Sequence, residues 1–290
     1  MSMVKIINEE ISIEVNTHGA ELVSLVANDT SREYMWCGDA KYWGRVSPVL
    51  FPFVGKLEKQ RYVYKGVTYD GIPQHGFARD SEFELVEKTD DTIWFELIKD
   101  EKWDEKYPFD FILRIGYRLE GKKVHVMWMV RNDGEEMLHF SIGAHPAFAC
   151  EGGLNEYALD MHTNKTEFAC GILNEEGVLS EQTVTQKVEN GILKLSDELF
   201  EQDALIMDGK GINTVTILDK NKTPFIQLRF DAPQLGIWSP AKAYAPFVCI
   251  EPWYGRCDKA GFDGTLEARE YSNVLERGHS FNKEYVIEIV

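Results

Sequence analysis

The sequence lacks the features that mark several common classes of protein. Its five cysteines are odd in number and include no CxxC pair, so neither a disulfide framework nor a zinc knuckle is predicted. No GxSxG segment is present, which disfavours a serine nucleophile on a strand–turn–helix. Neither GxxxxGK[ST] nor GxGxxG occurs, so no phosphate-binding or dinucleotide-binding loop is expected.

Positive charge is scarce as well. Lysine and arginine number 31 against 48 aspartates and glutamates, which gives a formal net charge of −17. A field of that sign repels phosphate backbones and anionic lipid, so no nucleic acid and no membrane is predicted as a partner. The longest apolar stretches, residues 48–55 and 243–250, are too short to span a bilayer. Because the cysteines do not suggest a disulfide framework and no signal-like segment stands at the start, a cytoplasmic location is expected.

Long helical patterns are also missing, and period-two alternation takes their place. Alternating segments lie at residues 11–15, 112–119 and 124–130, and again at 214–218 and 225–230. The last four of these form two pairs, each separated by a short polar loop, and each pair predicts a β-hairpin.

Strands of this kind recur along the whole chain, with no linker or repeat between them. Their spacing of roughly 8–12 residues is typical of an all-β sandwich or barrel. Short helices are expected only near residues 39–43 and 196–202, and no βαβ rhythm is present. We therefore predict a single all-β domain over residues 1–290.

Two histidines have unusual surroundings. His75 lies in the segment PQHGFAR and His145 in GAHPAF, so each is flanked by glycine or proline within a strand-like region. Such residues place a side chain at a strand end or turn, where clefts form. The alternative for either residue is a partly buried structural histidine that bonds the backbone.

One glutamate also stands out. Glu251 follows an apolar strand and precedes Pro252 in the segment VCIEPWYG. A carboxylate in that setting is either desolvated, with a raised pKa, or held by hydrogen-bond donors, although a strand-end glutamate facing water is the commoner case. The neighbouring Trp253 offers an aromatic face of the kind that stacks on sugar rings.

Taken together, these segments resemble the aldose 1-epimerase (galactose mutarotase) family, in particular its LacX-like branch. Five matching segments run in the family's order over nearly the whole chain: HGAELVSL at 18–25, PVLFPFVGKL at 48–57, QHGFAR at 74–79, GAHPAF at 143–148 and CIEPW at 249–253. The resemblance implies a large antiparallel β-sandwich of the galactose mutarotase type, and an isomerase.

The resemblance also implies roles for individual residues. Glu251 matches the general base that removes the proton from the anomeric hydroxyl, and His145 matches the general acid that protonates the ring oxygen. His75 matches the second motif histidine, which contacts the sugar. The substrate-binding residues that the resemblance implies are His75, Gln74, Arg79, Lys56, Asp203 and Trp253.

The match is imperfect at two places. Lys56 stands where the family often has an arginine, and a lysine cannot make the planar two-point contact of a guanidinium. No motif fixes the sugar-contacting aspartate, for which Asp203 is the first choice and Asp208 the rival.

The predicted reaction is the interconversion of the α and β anomers of a free hexose such as galactose or glucose. Ring opening takes a proton from O1 and gives one to O5, so a positioned base and acid suffice and no metal or cofactor is expected. One alternative is a hexose 6-phosphate substrate, held by a basic pocket of Arg79, Lys56 and either Arg45 or Arg256. Another is a sugar-binding or sugar-sensing protein without catalysis. The oligomeric state is not predicted.

Overall fold

The computed structural model describes residues 2–290, which form antiparallel β-sheets and only short 3₁₀ helices. The all-β fold class predicted from the sequence is confirmed. The first thirteen strands are β1 (Met3–Ile7), β2 (Ile11–Asn16), β3 (Glu21–Ala27), β4 (Arg32–Glu33), β5 (Val49–Leu50), β6 (Arg61–Tyr64), β7 (Val67–Asp70), β8 (Glu84–Lys88), β9 (Thr92–Ile98), β10 (Phe111–Glu120), β11 (Lys123–Asn132), β12 (Leu138–Phe140) and β13 (Ile142–Ala144). The remaining strands are β14 (Ala147–Ala149), β15 (Ala158–Asp160), β16 (Glu167–Leu173), β17 (Leu179–Lys187), β18 (Ile192–Lys194), β19 (Leu205–Asp208), β20 (Thr214–Leu218), β21 (Pro224–Phe230), β22 (Gln234–Trp238), β23 (Phe247–Tyr254), β24 (Asn273–Leu275) and β25 (Ser280–Ile289).

The 3₁₀ helices agree only in part with the sequence-based expectation. Their bounds are Glu58–Gln60, Ala78–Asp80, Glu101–Trp103, Leu154–Glu156, Asp197–Phe200 and Leu266–Ala268. The helix expected at 196–202 is present as the short 3₁₀ helix Asp197–Phe200, whereas the helix expected at 39–43 is wrong. There the side chain of Asp39 accepts from the backbone N–H of Lys41 at 2.9 Å, which favours a turn over a helix. None of the helices in residues 2–290 is long and apolar enough to cross a membrane.

The largest sheet has nine strands in the order β18-β15-β20-β21-β25-β11-β10-β9-β8. Its longest hairpin, β10–β11, pairs as far as Glu120 with Lys123, so its loop holds only Gly121 and Lys122. This loop is shorter than the gap of residues 120–123 between the two alternating segments. Gly121 makes the tight turn possible, because it adopts the positive φ of 55° that such a turn requires.

A second sheet of eight strands packs against the first. Seven of its strands follow the order β17-β16-β19-β22-β23-β13-β5, and β14 pairs with β23 beside them. Trp128 of β11 meets Tyr254 of β23 with ring centroids 6.2 Å apart, and both belong to the main hydrophobic core. Val248 and Ile250 of β23 lie in the same core. The two large sheets thus form a sandwich with its core between them.

Strand β23 lies near the middle of the second sheet, and all eight of its residues are buried. Side chains point alternately to the two faces of a strand. Since Val248, Ile250 and Tyr254 point into the core, the odd-numbered residues of β23 point to the opposite, outer face of the sheet. That outer face carries Glu251 and Trp253, and the candidate site is built on it.

Candidate active site

A cavity of about 410 Å³ opens on the outer face of the second sheet. Strands supply its floor and loops supply its walls, and several aromatic, basic and acidic side chains converge there. Its lining residues are Trp43, Arg45, Gly55, Gln74, His75, Arg79, His145, Leu173, Gly177, Asp203, Ala204, Ile206, Trp238, Glu251, Trp253 and Cys257.

The carboxyl group of Glu251 lies at the floor of this cavity. Its residue is only 1% exposed, in the middle of a strand with protein on both sides. Burial raises the pKa of Glu251 well above its ordinary value, and the negative charge of nearby Asp203 adds to the shift. The group therefore holds a proton more tightly than a surface glutamate does.

His145 lies opposite Glu251, between β13 and β14, which both pair with β23. Its Nε2 is 3.3 Å from Oε2 of Glu251. Burial lowers the pKa of His145 to about 3, and the positive charge of Arg79 acts in the same direction. The indole of Trp43 stacks on the imidazole with ring centroids 4.8 Å apart, which fixes the orientation of the ring. The two groups together form an acid–base pair shielded from bulk water.

His75 forms the adjacent wall, and its ring centroid is 5.6 Å from that of His145. The backbone N–H of Gly55 donates to its Nδ1 at 3.1 Å. Because a backbone amide only donates, Nδ1 is unprotonated and the neutral ring carries its proton on Nε2. Burial lowers the pKa of His75 well below its ordinary value, with the charge of a protonated His145 as the next cause. Nε2 of His75 lies 3.3 Å from the side-chain amide nitrogen of Gln74, so a proton on Nε2 requires this amide group to present its oxygen to the ring.

Gly55 is required where it stands. Its φ is +71°, and a Cβ added there would lie 2.5 Å from Cβ of Cys257. Only glycine tolerates both the backbone conformation and the close approach. The glycine in the segment FPFVGKL therefore brings its amide to the ring of His75.

Two arginines line the cavity near His75. Arg79 donates from Nη2 to the carbonyl oxygen of Gln74 at 2.7 Å, and its Nε is buried without a hydrogen-bond partner. Burial lowers the pKa of Arg79 to about 10, and the positive charge of Arg45 contributes. Arg45 in turn donates to the carboxylate of Asp80 at 2.7 Å. The arginines form a local basic wall on a protein of strongly negative net charge.

Trp253 is buried in the floor and presents only part of its ring to the cavity. Its indole lies between Gly143 and Gly236, where an added Cβ would come within 2.6 Å of the ring in either case. Its Nε1 donates to the carbonyl oxygen of Ala144 at 3.2 Å. The two glycines thus create the slot that holds this side chain.

Most of the predicted site residues meet in this cavity. The structure brings together Glu251, His145, His75, Gln74, Arg79, Asp203 and Trp253. Asp208 does not line the cavity, and its carboxylate accepts from the backbone N–H of Lys210 at 2.9 Å. Lys56 also lies outside it, because its Nζ donates to the carbonyl oxygen of Glu176 at 2.6 Å beside a separate cavity.

Sequence reasoning missed several lining residues. Trp43 and Trp238 pack against His145 with ring centroids 4.8 and 5.4 Å away, and neither was singled out. Trp238 ends a strand paired with β23 and therefore shares the outer face with Glu251. Trp43 lies in a loop two residues before Arg45, which belongs to the basic pocket predicted as an alternative from the sequence.

The fold and the cavity define an enzyme-type site for a small polar molecule, with a buried acid–base pair between aromatic walls. Comparison with known proteins identifies the family. The family model described as aldose 1-epimerase matches residues 2–284, and the chain belongs to that family of sugar isomerases.

Individual relatives agree with this assignment. The chromosomal LacX protein of Lactococcus lactis subsp. lactis is 32% identical over 259 residues, which are 86% of this chain and 86% of that protein. A solved structure of a galactose mutarotase related enzyme from Lactobacillus acidophilus is 33% identical, with a TM-score of 0.92 over 100% of this chain and 97% of that one. A galactose mutarotase-like protein from Lactobacillus casei is 28% identical, with a TM-score of 0.92 over the full length of both chains.

Proposed function

We propose that this protein interconverts the α and β anomers of a free hexose such as galactose or glucose by acid–base ring opening. The observation that carries the proposal is the buried pair at the cavity floor, in which His145 Nε2 lies 3.3 Å from Glu251 Oε2. Membership of the aldose 1-epimerase family supports the reaction class.

In the proposed mechanism, the carboxylate of Glu251 takes the proton from the O1 hydroxyl. His145 gives a proton to O5 as the C1–O5 bond breaks, and an open-chain aldehyde results. Rotation about C1–C2 presents the other face of the carbonyl group, and the reverse proton transfers close the ring. Each positioned group contributes roughly 10²–10⁴-fold to such a reaction.

The shifted pKa values suit these roles. A raised pKa makes the carboxylate of Glu251 a stronger base, and a lowered pKa makes the imidazolium of His145 a stronger acid. The pair shares one proton, whether as carboxylate and imidazolium or as carboxyl and imidazole. These two arrangements bind the same number of protons, so pH does not change the ratio between them.

The neighbouring groups would bind and orient the sugar. His75 would donate its Nε2–H to the sugar beside the Glu251–His145 pair, because its Nδ1 accepts from the backbone N–H of Gly55. Asp203 at the rim, with Gln74 and Arg79 on the wall, offers polar partners for hydroxyl groups. The aromatic side of the cavity, formed by Trp43 and Trp238, suits the apolar face of a pyranose ring.

A hexose 6-phosphate is the second candidate substrate. Arg45 and Arg79 both line the cavity, which favours an anionic group at that wall. The other two basic residues considered from the sequence do not converge with them, since Lys56 bonds Glu176 and Arg256 pairs with Glu270. The carboxylate of Asp80 already engages Arg45, which leaves less positive charge for a phosphate.

The test is anomer exchange measured by NMR with galactose, glucose and glucose 6-phosphate. We expect faster exchange of a neutral hexose, and a fall of about 10²–10⁴-fold in Glu251→Gln and in His145→Asn with the fold intact. Glu175→Gln, at an exposed glutamate outside the cavity, serves as the matched control and should keep full activity.

Other results would change the assignment. Acceleration of the phosphate ester alone, lost in Arg79→Gln, would favour the second candidate. Sugar binding without acceleration of any substrate would indicate a sensing protein. Parental activity in both Glu251→Gln and His145→Asn would refute the proposed acid–base pair.

A further inference from the structure

The outer face of β23 carries a cysteine that the proposed reaction does not use. Cys249 lies two residues before Glu251, so the two side chains share one face of the strand. His145 approaches from the neighbouring chain segment, where Ala147 pairs with Cys249. One ligand atom from each of the three residues, all of them buried, lies within 4.8 Å of the others.

We propose that Cys249, His145 and Glu251 form a binding site for a thiophilic divalent cation such as Zn²⁺ or Cd²⁺, and that its occupation switches the enzyme off. The distances fit such an ion. Tetrahedral zinc bonds of about 2.0–2.1 Å place a nitrogen and an oxygen ligand roughly 3.3 Å apart. Nε2 of His145 and Oε2 of Glu251 are 3.3 Å apart already. The thiol completes three ligands after an approach of about 1 Å, given the longer zinc–sulfur bond of about 2.3 Å.

The donor set decides which metals bind. One thiolate, one imidazole and one carboxylate suit zinc and cadmium, whereas Mg²⁺ and Ca²⁺ prefer sites built from oxygen ligands. A fourth position faces the cavity that His145 and Glu251 line, so a water molecule or another small ligand completes the tetrahedron.

Proton release follows from the chemistry of the ligands. The metal binds the thiolate of Cys249, the carboxylate of Glu251 and the neutral ring of His145. It therefore displaces the thiol proton and the proton that the acid–base pair shares, two protons in all. The two negative charges of the ligands then neutralise the dication within the buried site.

The consequence for activity rests on the proposed function. The metal occupies the place of the proton that moves between Glu251, His145 and the sugar, so neither residue is free to act. Inhibition should be reversible by a chelator and should weaken as the sugar concentration rises, because sugar and metal use the same two groups.

The experiment uses the full chain and two independent readouts. Titration with Cd²⁺ is followed by the ultraviolet cadmium–thiolate charge-transfer band, and anomer exchange is measured on the same samples. We expect a saturable band of one Cd²⁺ per chain and parallel inhibition. The band should be lost in Cys249→Ala, where inhibition should require at least about 100-fold more Cd²⁺, since even loss of an outer-sphere partner costs 10–100-fold.

Control variants separate this thiol from the others. Cys249→Ser keeps the size of the side chain, so it covers the outcome in which Cys249→Ala folds poorly. Cys257→Ala removes a thiol that lines the same cavity outside the cluster, and Cys37→Ser removes the exposed thiol. Both controls should leave the band and the inhibition unchanged.

The proposal is overturned if the band is missing, or if it persists in both Cys249 variants. Inhibition that is equal in Cys249→Ser and the parent would also overturn it. The absorbance readout does not depend on mutarotation, so a protein that binds Cd²⁺ through Cys249 but accelerates no sugar would sink the proposed function and leave the metal site standing.

Discussion

Glu251 and His145 show how burial, with help from neighbouring charges, shifts the pKa values of two ordinary side chains in opposite directions. The same loss of water raises the pKa of the carboxyl group and lowers the pKa of the imidazole, because each shift disfavours the charged form. A neutral pair is therefore inexpensive to bury, whereas either charged group alone would be costly. Glu251, the general base of the proposed mechanism, thus also destabilises the fold whenever it ionises.

The free-energy cost of ionising buried Glu251 predicts a pH-dependent gain in stability for Glu251→Gln. The pKa of Glu251 is raised above its ordinary value of 4.5, so the folded chain holds this proton while the unfolded chain releases it. Stability of the parent is then lost as pH rises above 4.5, by up to about 1.4 kcal/mol per pH unit until the raised pKa is reached. The variant should exceed the parent in unfolding free energy more at pH 8 than at pH 5.

Chemical denaturation of both proteins at the two pH values measures the effect. The exposed control Glu175→Gln should show no difference between pH 5 and pH 8. A Glu251→Gln difference that is the same at both pH values would mean that the carboxyl group titrates normally in the fold.

Local sequence could identify the central residues of the site, but not all the residues that form the walls of the cavity. Glycine and proline beside His75 and His145 marked turns, and the structure places both histidines in the cavity with Glu251. The direction of Lys56 was not predictable, because the carbonyl oxygen that it bonds belongs to Glu176, 120 residues away. Trp43 was missed for the same reason, since the path of its loop depends on contacts distant in sequence.

At the scale of the strand, β23 connects the core with the site. Alternate residues face the sandwich core or the cavity, so the apolar pattern that predicts the strand also determines that Glu251 and Trp253 share a face. Gly236 of β22 pairs with Glu251 and leaves room for the indole of Trp253. Alternation was readable from the sequence, whereas the fit of an indole over a glycine on another strand was not.

This fit predicts that Gly236→Ala damages the floor of the cavity. The added Cβ would lie 2.6 Å from Cζ2 of Trp253, so the indole must move. Overpacking of this kind costs typically about 1–3 kcal/mol of stability. Because Trp253 lines the cavity, KM for the sugar should rise more than kcat falls. Thermal or chemical unfolding and steady-state kinetics of anomer exchange provide the measurements.

A second substitution shows whether the clash between the added Cβ and the indole of Trp253 causes the loss of stability. Phenylalanine lacks the outer ring of the indole, so Trp253→Phe in the Gly236→Ala background should recover part of the lost stability. The double-mutant cycle then gives a favourable coupling energy. Gly44→Ala is the control, since its Cβ would meet only ordinary contacts at 3.6 Å. Additive effects in the cycle would show that Gly236 acts independently of Trp253.

At the scale of the whole molecule, the buried histidines make the fold sensitive to acid. Among the described residues, His75 and His145 are both buried in one cavity, and burial lowers the pKa of each below its ordinary value of 6.5. The unfolded chain binds protons at these rings below pH 6.5, whereas the folded chain excludes them. The contribution of these two rings to folding stability should therefore be complete above pH 6.5 and should fall as pH decreases toward 3, where His145 titrates in the fold.

The expected slope is about 1.4 kcal/mol per pH unit for each histidine in this window. Replacing one ring, as in His75→Gln, should lower the difference in bound protons between the unfolded and folded states by about one. The dependence of stability on pH should then become less steep. His279→Gln, at a histidine whose side chain is 67% exposed, is the matched control and should leave the slope unchanged. Denaturant titrations at several pH values between 4 and 7 give the slopes, and proton uptake on unfolding checks them independently. A histidine that the fold keeps neutral must change the slope of stability against pH when it is removed. If His75→Gln and the parent have the same slope, groups elsewhere in the molecule cause the acid sensitivity.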